Sequence, residues 1–228
     1  MALAHVGVTT TTDNGTVSTR DVVRSVTSGN LCLISIRWYG TATVSSVTCS
    51  GETVTLVGSA ASGAPNAAKS QWAWFTASST ASKTVTVTLS ASANDIKLSF
   101  IEISGQASSP IGNSATATDV STANPSTSLT ATANSAIYAV LMTGSLSTTP
   151  GTDYTDLGIQ GWWSEEEAEY DIDVGAAGSK TVNWTSNAAT WHIDAIEIKV
   201  ASGAGAALAG SASTSGHQAP APVFLIGL

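Results

Sequence analysis

Apolar and polar residues alternate along much of this chain, in short runs separated by turn residues. Residues 84–89 read Thr-Val-Thr-Val-Thr-Leu, and residues 31–39 form a longer apolar run between Gly29-Asn30 and Gly40. Alternation with period two indicates a strand with one buried face, and Gly, Asn and Ser between runs indicate turns. No window combines helical periodicity with capping residues. The pattern predicts an all-β chain, an antiparallel β-sandwich that is jelly-roll-like.

An internal repeat predicts that this sandwich is duplicated. Residues 82–103 begin Ser-Lys-Thr-Val and end Ile-Glu-Ile, and residues 179–198 begin and end in the same way. Each copy has the pattern of a hairpin, with a Thr/Val strand, a turn rich in Ser, Ala and Asn, and an apolar strand. Upstream, residues 30–40 correspond loosely to residues 134–144.

The repeat divides the chain into two halves, a connection and an arm. We expect a first β-sandwich half at residues 1–105 and a second at 125–201. The Ser-, Ala-, Thr- and Asn-rich residues 106–124 are either a linker or a segment that crosses between interleaved strands. Residues 202–228 begin rich in Gly, Ala and Ser, a composition typical of a flexible arm.

The arm ends in an apolar hexamer at residues 223–228, which would be exposed unless it docks. It can pack on its own domain as a last strand or add to a neighbouring subunit as a strand, and the sequence leaves both open. Pro220 and Pro222 cannot donate ladder hydrogen bonds, so pairing would begin after them. The predicted assembly residues are Val223, Phe224, Leu225 and Ile226.

The most unusual stretch is acidic. On a strand alternate residues share a face, which here places five carboxylates on one side: Glu165, Glu167, Glu169, Asp171 and Asp173. Such a row repels itself unless it is solvated or matched by cations. We favour a solvated face, then contact with a basic partner surface, then a bound cation. The spacing lacks the Asp/Asn and Gly pattern of a calcium loop, so no metal site is predicted.

The seven tryptophans have two interpretations. Tryptophan fills β cores and interfaces, and this placement is expected for most of them. Exposed tryptophans also stack on the flat apolar faces of sugar rings. Trp162 and Trp163 are the candidates for such a glycan-binding platform. The further binding candidates are Glu165, Glu167, Glu169 and Asp171.

Catalysis is not indicated. His5 lies near the terminus and His217 in the arm, so His192 is expected to be the only histidine inside a folded strand. No Gly-x-Ser-x-Gly elbow, phosphate-binding loop or dinucleotide fingerprint is present. We therefore predict no catalytic residues and no cofactor.

Glu102 and Glu197 occupy equivalent places in the two Ile-Glu-Ile motifs. Duplicated positions favour a structural role over a glycosidase pair. Partnership with Lys83 and Lys180, or exposure to solvent, would explain them.

The composition of the chain limits the classes of binding partner that are expected. Charged residues make up 11% of the chain and the formal net charge is −8, against roughly 25% charged residues in average proteins. An acidic chain repels phosphate backbones, so nucleic acid is not expected as a partner. Low charge suits outer faces that neighbours or sugars cover. Cys32 and Cys49 could pair across neighbouring strands, but their apolar surroundings favour two buried free thiols.

Two further observations bear on where the protein is expected to be found. No stretch of about 18 apolar residues is present, so no membrane-spanning helix is expected. The first residues lack the basic and apolar regions of a signal peptide. A sequence that looks extracellular without an export signal has lost that signal, leaves by another route, or leaves the cell inside a particle. We favour the particle, with the cell exterior or cell surface as the alternative.

These features together resemble a known class of module. The Gly29-Asn30 strand, Val44-Ser-Ser-Val-Thr48, Trp72 and the 82–105 segment are similar to jelly-roll-type β-sandwich modules of bacteriophage structural proteins and bacterial surface proteins. The resemblance spans about residues 16–201. It implies a non-enzymatic virion protein, a capsid decoration or tail-associated sandwich that forms homo-oligomers or binds other virion proteins. The alternatives are a carbohydrate-binding module or adhesin, and a secreted filament subunit joined by strand exchange.

Overall fold

The computed structural model describes residues 1–11, 15–63, 68–144, 148–158 and 166–202. Every regular element within these ranges is a β-strand, and every strand pairing among them is antiparallel. The prediction of an all-β antiparallel sandwich is therefore confirmed. The described part of the chain has no helix that is long and apolar enough to cross a membrane.

The strands fall into two sets, one for each half of the chain. The first set is β1 (Ala4–Thr11), β2 (Thr16–Val26), β3 (Leu31–Tyr39), β4 (Val44–Cys49), β5 (Thr55–Gly63), β6 (Ala68–Thr76) and β7 (Ala81–Ser104). The second set is β8 (Gln106–Thr122), β9 (Ser126–Ala131), β10 (Ala136–Thr143), β11 (Thr148–Pro150), β12 (Thr155–Asp156), β13 (Glu166–Asp171), β14 (Gly178–Ser186) and β15 (Ala189–Val200).

Each half consists of an inner and an outer layer. The inner layers have the strand orders β1-β7-β3-β6-β5 and β12-β13-β10-β15-β8. The outer layer of the second half is β11-β14-β9, and that of the first half is β2 and β4 paired to the early part of β7. Strand β7 bends from one layer into the other near Asp95, whose φ is 51°.

The prediction that the two strands of each repeat copy pair with each other as a hairpin is wrong. Strand β14 pairs with β9 and β11, whereas β15 pairs with β8 and β10. Strands β14 and β15 together therefore correspond to the single bent strand β7, with one arm in each layer. Burial explains the separation: positions 96–103 are buried on both faces, as an inner strand requires, while 83–89 are alternately buried and open, as in an outer strand.

The segment predicted as a linker or crossing segment is strand β8. It pairs along β15, as β1 pairs along the end of β7, so it opens the second half. Gly105 joins the two halves with φ of +83°, and a Cβ there would collide with the Ala2 carbonyl. The tight turn at this junction therefore requires glycine.

The two inner layers pack face to face along a surface that we name the seam. Its apolar part is built from both halves, with Leu31, Leu33 and Ile101 meeting Tyr138 and Ile196. Alternate residues of β3 point away from the seam into the core of the first half, and the second half has a core of its own. The molecule is thus two stacked sandwiches, four β layers deep, in which both faces of the central inner strands β3 and β10 are covered.

Both cysteines are buried free thiols, as favoured from the sequence. Cys32 lies on β3, and Cys49 ends β4. Burial raises the pKa of Cys32 to about 12, so this thiol stays protonated and unreactive.

Candidate functional site

The acidic strand β13 has the predicted alternation but not the predicted solvation. Ala168 belongs to the seam and Tyr170 packs against it, so the odd-numbered carboxylates point the opposite way, between the two layers of the second half. Glu167 is 8% exposed and Glu169 0% exposed. Of the row, Asp171 is partly exposed and Asp173 is exposed. The solvated-face interpretation is therefore wrong for the two glutamates.

Glu169 is a buried acid with one satisfied oxygen. The Gly151 backbone N–H donates to its Oε2 at 3.0 Å, while Oε1 has no hydrogen-bond partner among the described residues. Burial, and then the neighbouring Glu167 and Asp156 carboxyls, raise the pKa of Glu169 to about 8 against the opposing bond from Gly151. Glu169 is therefore largely protonated at neutral pH.

The internal duplication shows how unusual these positions are. Aligning the halves on their Ile-Glu-Ile strands places Ala73 at the position of Glu169 and Phe75 at that of Asp171. Both first-half residues are buried in an apolar core. The second half thus carries carboxylates where its sister copy is apolar, which marks this end of the second half as specialised.

A polar groove of about 730 Å³ lies beside this strand. Its walls include Asp153, Asp171, Asp173, Lys180 and Asn183. The Lys180 ammonium donates to the Val174 carbonyl at 2.7 Å. The groove offers acceptors and donors suited to a polar ligand. The described residues contain no group of three or more His, Cys, Asp or Glu side chains placed to hold a metal ion.

A second polar cluster lies sealed inside the seam. Ser70 Oγ is 2.8 Å from His192 Nε2 and donates to Asp194 Oδ2 at 2.8 Å. The three side chains belong to both halves, and their exposures are 1%, 1% and 5%. Burial lowers the pKa of His192 to about 4 and raises that of Asp194 to about 6, the latter against the influence of Ser70 and Trp72.

These residue types suggest a hydrolytic triad, but the geometry differs. In a triad the carboxylate binds the histidine nitrogen that faces away from the serine. Here the carboxylate and the imidazole both contact Ser70, and His192 Nδ1 has no partner among the described residues. The cluster fastens the two halves together. Sequence reasoning missed it because nothing in the pattern near Ser70 signals contact with a strand 122 residues away.

The repeated glutamates hold the turns that precede β3 and β10. Glu102 accepts hydrogen bonds from the Thr27 N–H and the Asn30 side chain, both at 2.7 Å. Glu197 accepts from the Thr132 N–H and hydroxyl, both at 2.6 Å. Burial opposes ionisation of both groups, but these bonds hold the pKa of each glutamate below its usual value.

The expectation that Lys83 and Lys180 pair with these glutamates is wrong. Lys83 pairs with Glu52 at 2.5 Å, and Lys180 lines the groove instead.

His5 lies inside a strand, contrary to the sequence prediction that only His192 would. It belongs to β1, and its ring stacks on Tyr170 of the other half with 4.6 Å between centroids. Its Nδ1 lies 3.2 Å from the Tyr138 hydroxyl. Burial, and then Arg24, lower the pKa of His5. Like Ser70, it fastens one half to the other.

The tryptophans that the structure describes are interior residues. Trp38, Trp72, Trp184 and Trp191 are buried, and Trp74 packs against the seam beside Trp72. The expected core or interface placement is confirmed for these five. Several predicted site residues lie outside the described residues: Trp162, Trp163, Glu165, Val223, Phe224, Leu225 and Ile226.

The fold and these sites define a duplicated, four-layer antiparallel β-sandwich protein. No family model matches the chain, and no curated protein or solved structure matches it. The function is therefore argued from the structure itself.

Proposed function

We propose that this chain is a non-enzymatic structural protein of a virion, a capsid decoration or tail-associated β-sandwich that acts by assembly with its own copies or with other virion proteins. One observation carries the proposal: side chains that could perform chemistry serve the architecture. Glu102 and Glu197 hold turns, and Ser70, His192 and Asp194 are sealed in the seam.

The surface supports the same role. The exposed positions of β8 are Ser, Thr and Asn apart from Val120, and the chain carries 11% charged residues. Covering such a face with a neighbouring protein costs less desolvation free energy than covering a charged one, provided that its hydroxyl and amide groups find hydrogen-bond partners. Two sandwiches locked into one thick slab also give a stiff building unit rather than a hinged one.

Virion association is tested directly on particles. Particles induced from a strain that carries the gene are purified on a density gradient and analysed by peptide mass spectrometry. We expect peptides of this chain to follow the major capsid protein through the gradient, with an abundant cytosolic host protein as the control that does not. A chain that is present in the lysate and missing from the particles would overturn the proposal.

Glycan binding is the second candidate, and the polar groove is the observation that favours it. Hydroxyl-rich ligands need several donors and acceptors in one concave site, which Asp153, Asn183 and their neighbours supply. A glycan array with the wild-type chain and with Asn183→Ala tests this candidate. Selective binding that Asn183→Ala abolishes would support the groove, and loss in Trp162→Ala/Trp163→Ala alone would place the site at the tryptophans. Absence of any binding would remove the candidate.

A further inference from the structure

Strand β8 presents an open edge. One side of it pairs with β15, and among the described residues no strand pairs with the other side. Register shifts interrupt its pairing with β15 before Ser114 and after Asp119, but residues 114–119 pair without a break. This stretch has one charged residue, Asp119, and Ser114, Thr116 and Thr118 are exposed. An unpaired, regular and nearly uncharged edge is a template for strand addition.

Most other strand edges among the described residues are blunted. Strand β2 carries Arg20, Asp21 and Arg24. The register of β5 breaks between Val57 and Ala61, and that of β1 breaks between His5 and Gly7. Strands β11 and β12 are three and two residues long. Charge, bulges and shortness are the devices by which proteins protect edges from pairing. Strand β4 has a register shift between Val44 and Ser46. In β9, the Thr130 carbonyl already accepts a hydrogen bond from the Asn113 side chain at 2.7 Å. We therefore take β8 as the acceptor.

The chain also contains a suitable donor. Residues 223–228 read Val-Phe-Leu-Ile-Gly-Leu, an uncharged segment directly after Pro222. They lie outside the described residues. A short apolar segment of high β propensity favours strand pairing. Its six residues equal the length of the unbroken stretch from Ser114 to Asp119.

Direction and reach favour a donor from another copy. The described chain ends beside Gln106, because Val200 pairs with Gln106 and Ala201 bonds to Gly105. An antiparallel donor must start opposite Asp119, which is about 43 Å farther along β8 at ~3.3 Å per residue. A coil of about 20 residues, the length of the spacer 203–222, has an r.m.s. span of ~25 Å. The chain's own segment is thus better placed for parallel pairing, which is the weaker arrangement.

We propose that residues 223–228 of one copy add as an antiparallel strand to the Ser114–Asp119 edge of a second copy. This inference rests on the assembly role proposed above and names the surface through which it works. Backbone hydrogen bonds supply the attachment, and the alternating side chains of the donor cover the exposed Thr116 and Thr118 on one face. Because each copy has one donor and one acceptor, the contact is head-to-tail and propagates into chains or closes into rings.

Two variants of the full chain test the two sides of this contact separately. Deletion of residues 223–228 removes the donor and keeps the edge. Thr116→Lys/Thr118→Lys charges the edge at two exposed positions and keeps the donor. The matched control is Ser82→Lys/Thr84→Lys, which adds the same charge at exposed positions of β7 in the first half, where the strand is paired with β2. Thermal unfolding is used to check that each variant is folded, and multi-angle light scattering measures its mass in solution.

We expect wild type and the Ser82→Lys/Thr84→Lys control to form multimers, and both test variants to be monomers. A mixture of the deletion variant with the Thr116→Lys/Thr118→Lys variant is expected to form a 1:1 heterodimer, since one member supplies the edge and the other the donor. Multimers of the edge variant that the deletion abolishes would overturn β8 as the acceptor and leave the assembly role standing. Multimers of both variants would overturn the donor as well.

A monomeric wild type overturns the second-copy donor. Hydrogen exchange then shows whether the segment pairs within its own chain: protection at residues 114–119 that the deletion removes would place it there. The virion test is independent of all these outcomes, because particle association is measured without reference to the arm. Failure of the strand contact and failure of the proposed function are therefore distinguishable.

Discussion

At the scale of single residues, the interior holds two carboxyl groups whose pKa values burial raises. Glu169 has a pKa of about 8 and Asp194 of about 6. Such groups favour their neutral form in the folded state, so deprotonation at higher pH destabilises the fold. His192 has the opposite dependence, because its pKa is lowered to about 4. Its contribution to stability is complete above pH 6.5 and is lost as pH falls through 4.

Replacement of Glu169 by Gln is expected to stabilise the chain at alkaline pH. The folded-state pKa of Glu169 lies above its usual value of 4.5, so its favourable contribution is complete below pH 4.5 and is lost as pH rises through 8. The stability advantage of Glu169→Gln should grow across this range to about 5 kcal/mol. Denaturant unfolding between pH 5 and 9 measures it, with the exposed Asp21→Asn as control. An advantage that is independent of pH would contradict the assignment.

Replacement of Ser70 by Ala is expected to destabilise the chain at pH 7. The Ser70 hydroxyl contacts both His192 and Asp194, and its loss leaves buried polar atoms without a partner, at a cost of about 1–3 kcal/mol. Urea unfolding of Ser70→Ala measures the loss, and Ser46→Ala on the exposed face of β4 is the control. Equal stability of the two variants would show that the cluster does not fasten the seam.

At the scale of elements, each half is organised by one glutamate that holds the turn before its central strand. Glu102 does so for β3 and Glu197 for β10. The turn residues differ in sequence, with Thr27 to Asn30 in one copy and Thr132 to Ser135 in the other, but each turn closes with the same backbone bond. The glutamate is therefore the shared element that survives divergence of the turns.

Removal of either glutamate is expected to loosen its own turn. Glu102→Ala should speed amide exchange at Thr27, and Glu197→Ala at Thr132, each with a loss of about 2 kcal/mol of stability because a buried charged acceptor is removed from its donors. Hydrogen exchange read by NMR or mass spectrometry separates the two turns. The two variants serve as controls for each other. Faster exchange at both turns in either variant would contradict a local role.

Much of the fold was predictable at this scale, and the failures have physical causes. The apolar run at 31–39 and the Ile-Glu-Ile strands predict inner strands, because burial on both faces demands continuous apolar sequence. Sequence does not show whether two successive strands pair with each other or enter separate layers, and so the hairpins were wrong. Residues 106–122 looked like a linker because an edge strand with little burial needs few apolar residues.

The candidate sites were less predictable. Alternation placed the carboxylates of β13 on one face, but their burial depends on which layer covers that face. Contacts such as Ser70 with His192, or His5 with Tyr170, join residues more than 120 positions apart. They depend on how the halves stack, which no local pattern encodes.

At the scale of the whole molecule, each half covers the other. The face of β3 and β7 that carries Leu31, Leu33, Ile101 and Ile103 is buried by the second half. Full burial of an aliphatic side chain contributes about 1.5–3 kcal/mol. The seam is therefore as much a core as the interior of either sandwich.

The first half is expected to be soluble only when the second half is present. A fragment of residues 1–105 should aggregate or bind a hydrophobic dye when expressed alone, because its seam face is exposed. Co-expression with residues 106–228 should restore a soluble 1:1 complex, which light scattering and dye fluorescence can establish. A soluble monomeric fragment that does not bind dye would contradict the obligate seam.

The seam also determines how one half is aligned on the other. Its apolar end would tolerate sliding of one flat sheet over the other, since leucine and isoleucine side chains exchange for one another at little cost. Its polar end does not: a shift by one strand spacing would set Asp194 and His192 against aliphatic side chains and leave Ser70 alone. A few buried polar atoms thus fix the relative position of two sheets whose apolar contacts alone would not fix it, and the duplicated halves dock in one arrangement.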